Sequence, residues 1–320
     1  MKQRNIITII AVSIAITACE RDEIFEREQY KHVIAIVSEG STNIFAEEHD
    51  LSIIDGDGFT EGYIGASCGG ALPTDQTATL TVMEDAELLS KYNNDNFATE
   101  SYKYARYLPS DRYKIDNPSI IIPKGERNGR MKIKVKAAGL SPDSVYFLPL
   151  RAVRCSAYEL NPNKSTVLYR VYMKNFWSSV KSVSVYSHRG VKTEKGTSTG
   201  INTMMTKSLY PLSGNEVRMI AGNKVISELT AEILEKWAVK LSVDNSGNVT
   251  VSPCSSSRFG MKVTQVDGDP DYPNVFKLLD NGYGKIYKTF LLNYDYTDPD
   301  EGVTYNIKEE LKVEHIITVK

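Results

Sequence analysis

The chain has 320 residues with 41% hydrophobic content, and 38 Lys plus Arg against 40 Asp plus Glu leave a net charge of −2. That balance lacks the basic excess of a nucleic-acid binder and the acidic excess of a disordered chain, so a folded protein with no nucleic-acid partner is expected. Nineteen Tyr against nine Phe suits half-buried strands, or a surface that meets sugars and proteins through hydroxyl-bearing rings.

The first element is a targeting segment. Lys2 and Arg4 precede an apolar run from Ile6 to Ile16, which ends in Ile16-Thr17-Ala18-Cys19. The run is shorter than the roughly 20 residues a spanning helix needs, so it reads as a secretory signal. Small residues followed directly by Cys resemble the bacterial lipobox, in which the cysteine sulfur takes a diacylglycerol and becomes the new N-terminus. The prediction is a signal peptide over 1–18 and a covalent lipid on Cys19. Acyl chains contribute roughly 0.8 kcal/mol per buried CH2, so the mature chain would be anchored in the membrane without spanning it. Residues 19–29, with Glu20, Asp22, Glu23, Glu26 and Glu28, form an acidic tether. It resembles the stretch that directs Bacteroidetes lipoproteins to the outer face of the outer membrane.

The remaining cysteines, Cys68, Cys155 and Cys254, show no C-x-x-C spacing, which leaves a zinc or dithiol site unsupported. Cys68 and Cys155 fall in one predicted domain and could pair; the alternative, buried free thiols, is preferred.

Residues 30–174 read as one domain of short alternating strands: His32 to Val37, Phe59 to Cys68, Thr77 to Met83, Ser119 to Ile122, Met131 to Ala137, Val145 to Val153 and Thr166 to Met173. Met131-Lys132-Ile133-Lys134-Val135-Lys136 puts apolar and charged side chains on opposite faces of one strand. Seven strands separated by Gly- and Pro-rich turns predict an antiparallel sandwich. Glu84 to Tyr92 reads as a short helix or turn.

A boundary is expected near Lys174 to Trp177, and 175–320 reads as a second antiparallel domain, either a sandwich or barrel-like. Its strands are Val180 to Ser187, Met204 to Tyr210, Val217 to Ile220, Trp237 to Val243, Asn248 to Ser252, Met261 to Val266, Val275 to Leu278, Lys285 to Tyr296 and Val303 to Val313. Asp244-Asn245-Ser246-Gly247 makes a hairpin turn, since Asn and Gly tolerate positive φ. Ile226, Leu229, Ile233 and Leu234 have helical spacing.

Four spaced segments then carry a family likeness: Leu88-Leu89-Ser90-Lys91-Tyr92-Asn93, Tyr107-Leu108-Pro109 with Tyr113, Ile120-Ile121-Ile122-Pro123-Lys124-Gly125, and Tyr146-Phe147-Leu148-Pro149-Leu150. They resemble the N-terminal immunoglobulin-like domain of unknown function of Bacteroidetes surface lipoproteins. Phe290 to Tyr296, followed by Thr304 to Leu311, is similar to the β-rich domain that follows it there. The resemblance implies an all-β protein and an accessory role in glycan capture beside SusC/SusD-like uptake proteins at the outer membrane.

Chemistry-bearing motifs are sparse. His32, His49, His188 and His315 stand singly, with neither a metal spacing nor a serine elbow around them. After two β domains, no segment large enough for a glycosidase barrel is left, so no enzyme and no bound cofactor are expected. Asp267, Asp269 and Asp271 alternate like the start of a calcium loop, but the glycine and later Glu of an EF-hand are missing. Turn-making is the competing role of these residues. A sugar site needs an aromatic face. Trp237 is expected to pack inward at the start of a strand, whereas Trp177, at the domain junction, could be packing or platform. Tyr283, between Gly282 and Gly284, is the best candidate contact residue on an exposed tip. The rival function is a fimbrial or adhesin subunit, in which Lys312 to Lys320 would complete a neighbour's sheet.

Overall fold

In a computed structural model the described residues are 30–53, 56–255, 259 and 261–316. Cys19 and the tether lie outside them, as does the end of the candidate donor segment. The chain is almost all β, with 50% strand and 10% helix.

The first sheet holds eleven strands, β1 (Val33–Ile36), β2 (Ile44–Asp50), β3 (Thr60–Cys68), β4 (Ala78–Glu84), β5 (Arg106–Tyr107), β6 (Tyr113–Lys114), β7 (Ser119–Ile122), β8 (Asn128–Val135), β9 (Tyr146–Cys155), β10 (Glu159–Leu160) and β11 (Thr166–Lys174). The order is β10-β1-β3-β8-β7-β4-β9-β11-β2, with β5 on β9 and β6 on β8. In β8 the alternation works as read, since Met131, Ile133 and Val135 are buried and join the core with Ile64, Leu80, Ile120 and Leu148. Helix α1 (Ala86–Phe97) follows β4; the Asp85 side chain caps it by accepting from the Glu87 amide at 3.2 Å. Asn93 ties it to the strand below, donating to the Ala105 carbonyl and accepting from its amide, both at 2.9 Å.

The sheet is strongly curved, and its edge strand β2 comes round to face β3 through side chains. Glu47 accepts the Tyr63 amide at 3.0 Å and the Tyr169 hydroxyl at 2.6 Å. His49, 1% exposed, lies 2.9 Å from that hydroxyl by Nε2 and 2.6 Å from the Thr60 hydroxyl by Nδ1. Gly62 is required opposite, because a Cβ there would stand 2.2 Å from the Tyr169 oxygen. Burial lowers the His49 pKa to about 4. The folded state therefore binds fewer protons than the unfolded chain between about pH 6.5 and 4, and this contribution to stability is lost as pH falls through that window. It amounts to about 3 kcal/mol. Denaturant melts at pH 7 and pH 4 should show a gap smaller by about that amount in His49→Gln; an unchanged gap would assign the acid sensitivity elsewhere.

The second sheet holds nine strands, β12 (Ser184–Glu194), β13 (Gly200–Ser213), β14 (Glu216–Ile220), β15 (Ala238–Val243), β16 (Val249–Pro253), β17 (Val263–Gln265), β18 (Val275–Asp280), β19 (Ile286–Thr297) and β20 (Thr304–Glu314), with α2 (Ala231–Trp237) between β14 and β15. The order is β16-β15-β14-β13-β12-β20-β19-β17, with β18 on β19. Its ends nearly meet, and the Gln265 side chain on β17 accepts the Val251 amide of β16 at 2.9 Å. A nearly closed barrel results. Between β15 and β16, Asp244 accepts the Ser246 and Asn248 amides, both at 2.8 Å, and Gly247 takes φ +85.

β13 bends at Pro211, where the register shifts. It pairs with β12 as far as Leu209 and with β14 only from Tyr210 onward. Residues 200–208 of β13 thus have ladder partners on one side only.

Several expectations shift. β2 was not foreseen, β12 lies at 184–194 instead of starting at Val180, and the helix expected from Ile226 begins only at Ala231, with Thr230 as its cap. Trp237 is the last residue of that helix rather than the first of a strand, and it is buried in the second core as expected. Cys68 and Cys155 are not joined in a disulfide, and Cys155 and Cys254 are free thiols. Lys312, Val313 and Glu314 belong to β20, which is flanked by β12 and β19, so this part of the candidate donor segment already completes its own sheet.

The two sheets pack together through specific groups. Asn175 donates to the Ser213 and Glu216 carbonyls at 2.8 and 2.9 Å while accepting the Trp177 and Ser178 amides, both at 3.0 Å. A Cβ on Gly214 would stand 2.8 Å from the Leu51 carbonyl oxygen, so the backbones approach closely there. Arg218 of β14 forks onto Asp143, on the β8–β9 loop, at 2.6 and 2.5 Å.

Candidate functional site

A cavity of about 570 Å³ lies against the one-sided edge of β13, between the end of β14 and the segment 222–234 that crosses over it. That volume falls in the usual range of small-ligand sites, about 300–1,000 Å³. Its walls include Thr206, Ser208 and Tyr210 of β13, Arg218 of β14, and Ile226 and Leu234 of the crossing flap. The flap is rooted at Gly222, whose amide donates to the buried Tyr294 hydroxyl at 3.2 Å, and passes into α2 at Thr230, whose hydroxyl accepts the Ile233 amide at 3.2 Å. Val225 at the flap crest is 79% exposed.

The described lining includes three cations and no carboxylate. Each cation is matched from outside the lining. Arg218 pairs with Asp143 and stacks 4.9 Å from the Tyr210 ring. Lys224 reaches Asp300 at 2.5 Å and lies 4.5 Å over the Trp237 ring. Its hydrogen bond and that of Lys236 hold the Asp300 carboxyl below its usual range. Lys207 points into the barrel and pairs with Glu309, which also accepts the Tyr294 hydroxyl at 2.9 Å and has His188 Nε2 2.9 Å away. The result is a wall that is apolar and aromatic in part, rich in neutral hydrogen-bonding groups, and electrically balanced.

The residues singled out by sequence sit elsewhere. Trp177 is half-buried against the second core, edge-on to Phe176 and Phe276 at 5.7 Å each, with its indole N–H buried and unpaired. Its ring packs at the junction. Tyr283 is 90% exposed at the tip between β18 and β19, with φ +77 at both flanking glycines. Neither residue lines the cavity.

The candidate calcium run is occupied with turn bonds. Asp269 accepts the Asp271 and Tyr272 amides at 2.9 and 3.0 Å and pairs with Lys308 at 2.5 Å. Asp267 accepts from the Gln265 and Asn274 side chains at 2.7 and 3.2 Å. Among the described residues no group of three or more His, Cys, Asp or Glu side chains is placed to hold a metal ion.

Sequence reading missed Tyr210, Arg218 and the flap. The local signal was the apolar set Ile226, Leu229 and Leu234, read only as helical spacing although all three line the cavity; the charge pairing depends on residues far away in the chain.

Comparison with known proteins places this geometry in context. A family model described as an N-terminal domain matches residues 29–159, and one described as C-terminal matches residues 165–312. No curated protein matches the chain. A structural-genomics protein of unknown function from Bacteroides ovatus superposes with a TM-score of 0.65 at 15% identity, over 88% of this chain and 94% of that one. A multidomain protein including DUF1735, also from Bacteroides ovatus, gives 0.61 at 13% identity, over 89% and 95%. An auxiliary nutrient binding protein from Bacteroides thetaiotaomicron gives 0.52 at 18% identity, over 85% and 90%. The chain therefore joins the N-terminal and C-terminal domains of these two family models, in that order, and shares its two-domain fold with these Bacteroides proteins.

Proposed function

We propose that this chain is a non-catalytic accessory protein, held to the outer membrane by lipid on Cys19 and facing the exterior, that captures a nutrient, and by preference a glycan, for uptake. The observation that carries the reading is the cavity beside the open edge of β13, which offers a Tyr210 ring, hydroxyls and unpaired strand-edge groups within one concave space. Sugars need such a mix of ring face and neutral donors and acceptors. The likeness in fold to an auxiliary nutrient binding protein supports it. SusC/SusD-like uptake proteins are the partners the reading implies.

Two experiments test it. Filling the cavity by Ser208→Trp should weaken binding of neutral oligosaccharides by at least about tenfold in titration calorimetry, while the circular dichroism spectrum is kept. Equal binding by both proteins would move the site elsewhere. For the anchor, Cys19→Ser should release the protein from the cell envelope into the medium, and retention of an unlipidated protein there would refute it. Heat-labile ladders of oligomers on a gel would favour the fimbrial alternative.

A further inference from the structure

We infer that the cavity selects uncharged ligands, and that Asp143 of the first sheet is the residue that enforces this by occupying Arg218. The inference rests on the capture reading and names the ligand class for that same cavity.

The three cations of the lining are not equivalent. Lys207 is turned into the barrel and sealed there with Glu309. Lys224 of the flap and Asp300 of the β19–β20 loop form a pair that is open to solvent, where water and salt screen the charge. Arg218 is different, because its guanidinium is buried in the cavity wall and its planar fork is the protein group best shaped to grip a carboxylate or sulfate. Left bare, it would make this an acid-binding site.

Asp143 takes up that fork. It meets both terminal nitrogens, at 2.6 and 2.5 Å, so the bidentate geometry an acidic ligand would need is already used. The carboxylate is itself held in position, since the Asp143 amide donates to the Ser141 hydroxyl at 3.3 Å and that hydroxyl donates back to the carboxylate at 3.4 Å. On its other side the guanidinium is covered by the Tyr210 ring. An acidic ligand would have to displace Asp143 or lie beside it, and both are unfavourable in a partly desolvated wall. A neutral ligand meets no such cost. The ligand class is thus set by a residue that belongs to the other sheet and does not line the cavity.

The test compares matched probes on the full mature chain, with neutral manno-, gluco- and galacto-oligosaccharides against oligogalacturonate of the same length. Wild-type protein should prefer a neutral probe over the acidic one by about tenfold or more, the size of one charge-assisted hydrogen bond. Its neutral binding should change little with salt. Asp143→Asn should gain about tenfold for the acidic probe, with that gain falling as salt rises, and Asp143→Asn combined with Arg218→Gln should lose the gain. Equal or stronger wild-type binding of the acidic probe would overturn the inference and leave nutrient capture standing. If neutral binding occurs but is unmoved by Ser208→Trp, the capture cavity is misplaced and the inference falls with it. If Asp143→Asn fails to fold, the wild-type comparison of the two probes at low and high salt decides alone.

Discussion

Glu309→Gln should destabilise the protein by about 3–5 kcal/mol, because it strips the counter-charge from a buried lysine. Glu309 and Lys207 are both buried inside the second barrel, with His188 and Tyr294 around the same carboxylate. Burial pushes the Glu309 carboxyl up, and the adjoining Lys207 ammonium with His188 more than offsets it, so the carboxyl stays below its usual range. Burial lowers Lys207, and only Glu309 opposes that. An amide at 309 would leave Lys207 to lose its proton or break the barrel open. The pair is not thereby a source of net stability, since replacing both members by apolar residues of similar volume is often neutral or stabilising. Urea unfolding of Glu309→Gln, Lys207→Met and the double variant Glu309→Leu with Lys207→Met separates these effects. A single variant within about 1 kcal/mol of wild type would mean that water reaches the pair.

Trp237→Ala should cost a similar amount, about 3–5 kcal/mol, and should also weaken ligand binding. The side chain is 1% exposed in the second core, at the point where α2 turns into β15. Its ring supports Lys224 of the flap, and one turn earlier Leu234 forms part of the cavity wall. Removing the ring takes away core packing and the floor on which the flap rests. Tyr283→Ala is the contrast, because a side chain so exposed should change stability by less than about 0.5 kcal/mol. Thermal melts of the two variants, with calorimetry on neutral oligosaccharides, check both statements. A Trp237→Ala protein that melts like wild type would show that the cavity collapses without loss.

Where hydrophobic alternation was clean, the fold was legible. β7 was placed to the residue and β3, β11 and β15 to within one residue at each end, and in β3 and β8 the buried residues stand at every second position. β2 escaped notice for the opposite reason. Its inward face carries Glu47 and His49, which are matched by Thr60, Tyr63 and Tyr169 only after the sheet has curled. β12 was displaced because His188 reads as polar, although it points into a barrel whose centre is itself charged. The cavity was illegible on different grounds. No motif marks it, and its character depends on Asp143, Asp300 and Glu309, which lie from 75 to 102 residues away from their partners in the chain. Aromatic residues drew attention instead, and they led to Trp177, which packs, and Tyr283, which stands apart.

The one-sided stretch of β13 has a consequence for solubility. A bare strand edge is a template for another chain. The segment 222–234 shares the cavity with residues 205–208 of that edge, whereas Ile201 and Met204 further along are 68% and 82% exposed, so the flap would hinder intermolecular sheet growth only over the cavity half of the stretch. Shortening it would be expected to turn a dispersed protein into one that self-associates, whatever happens to its ligand.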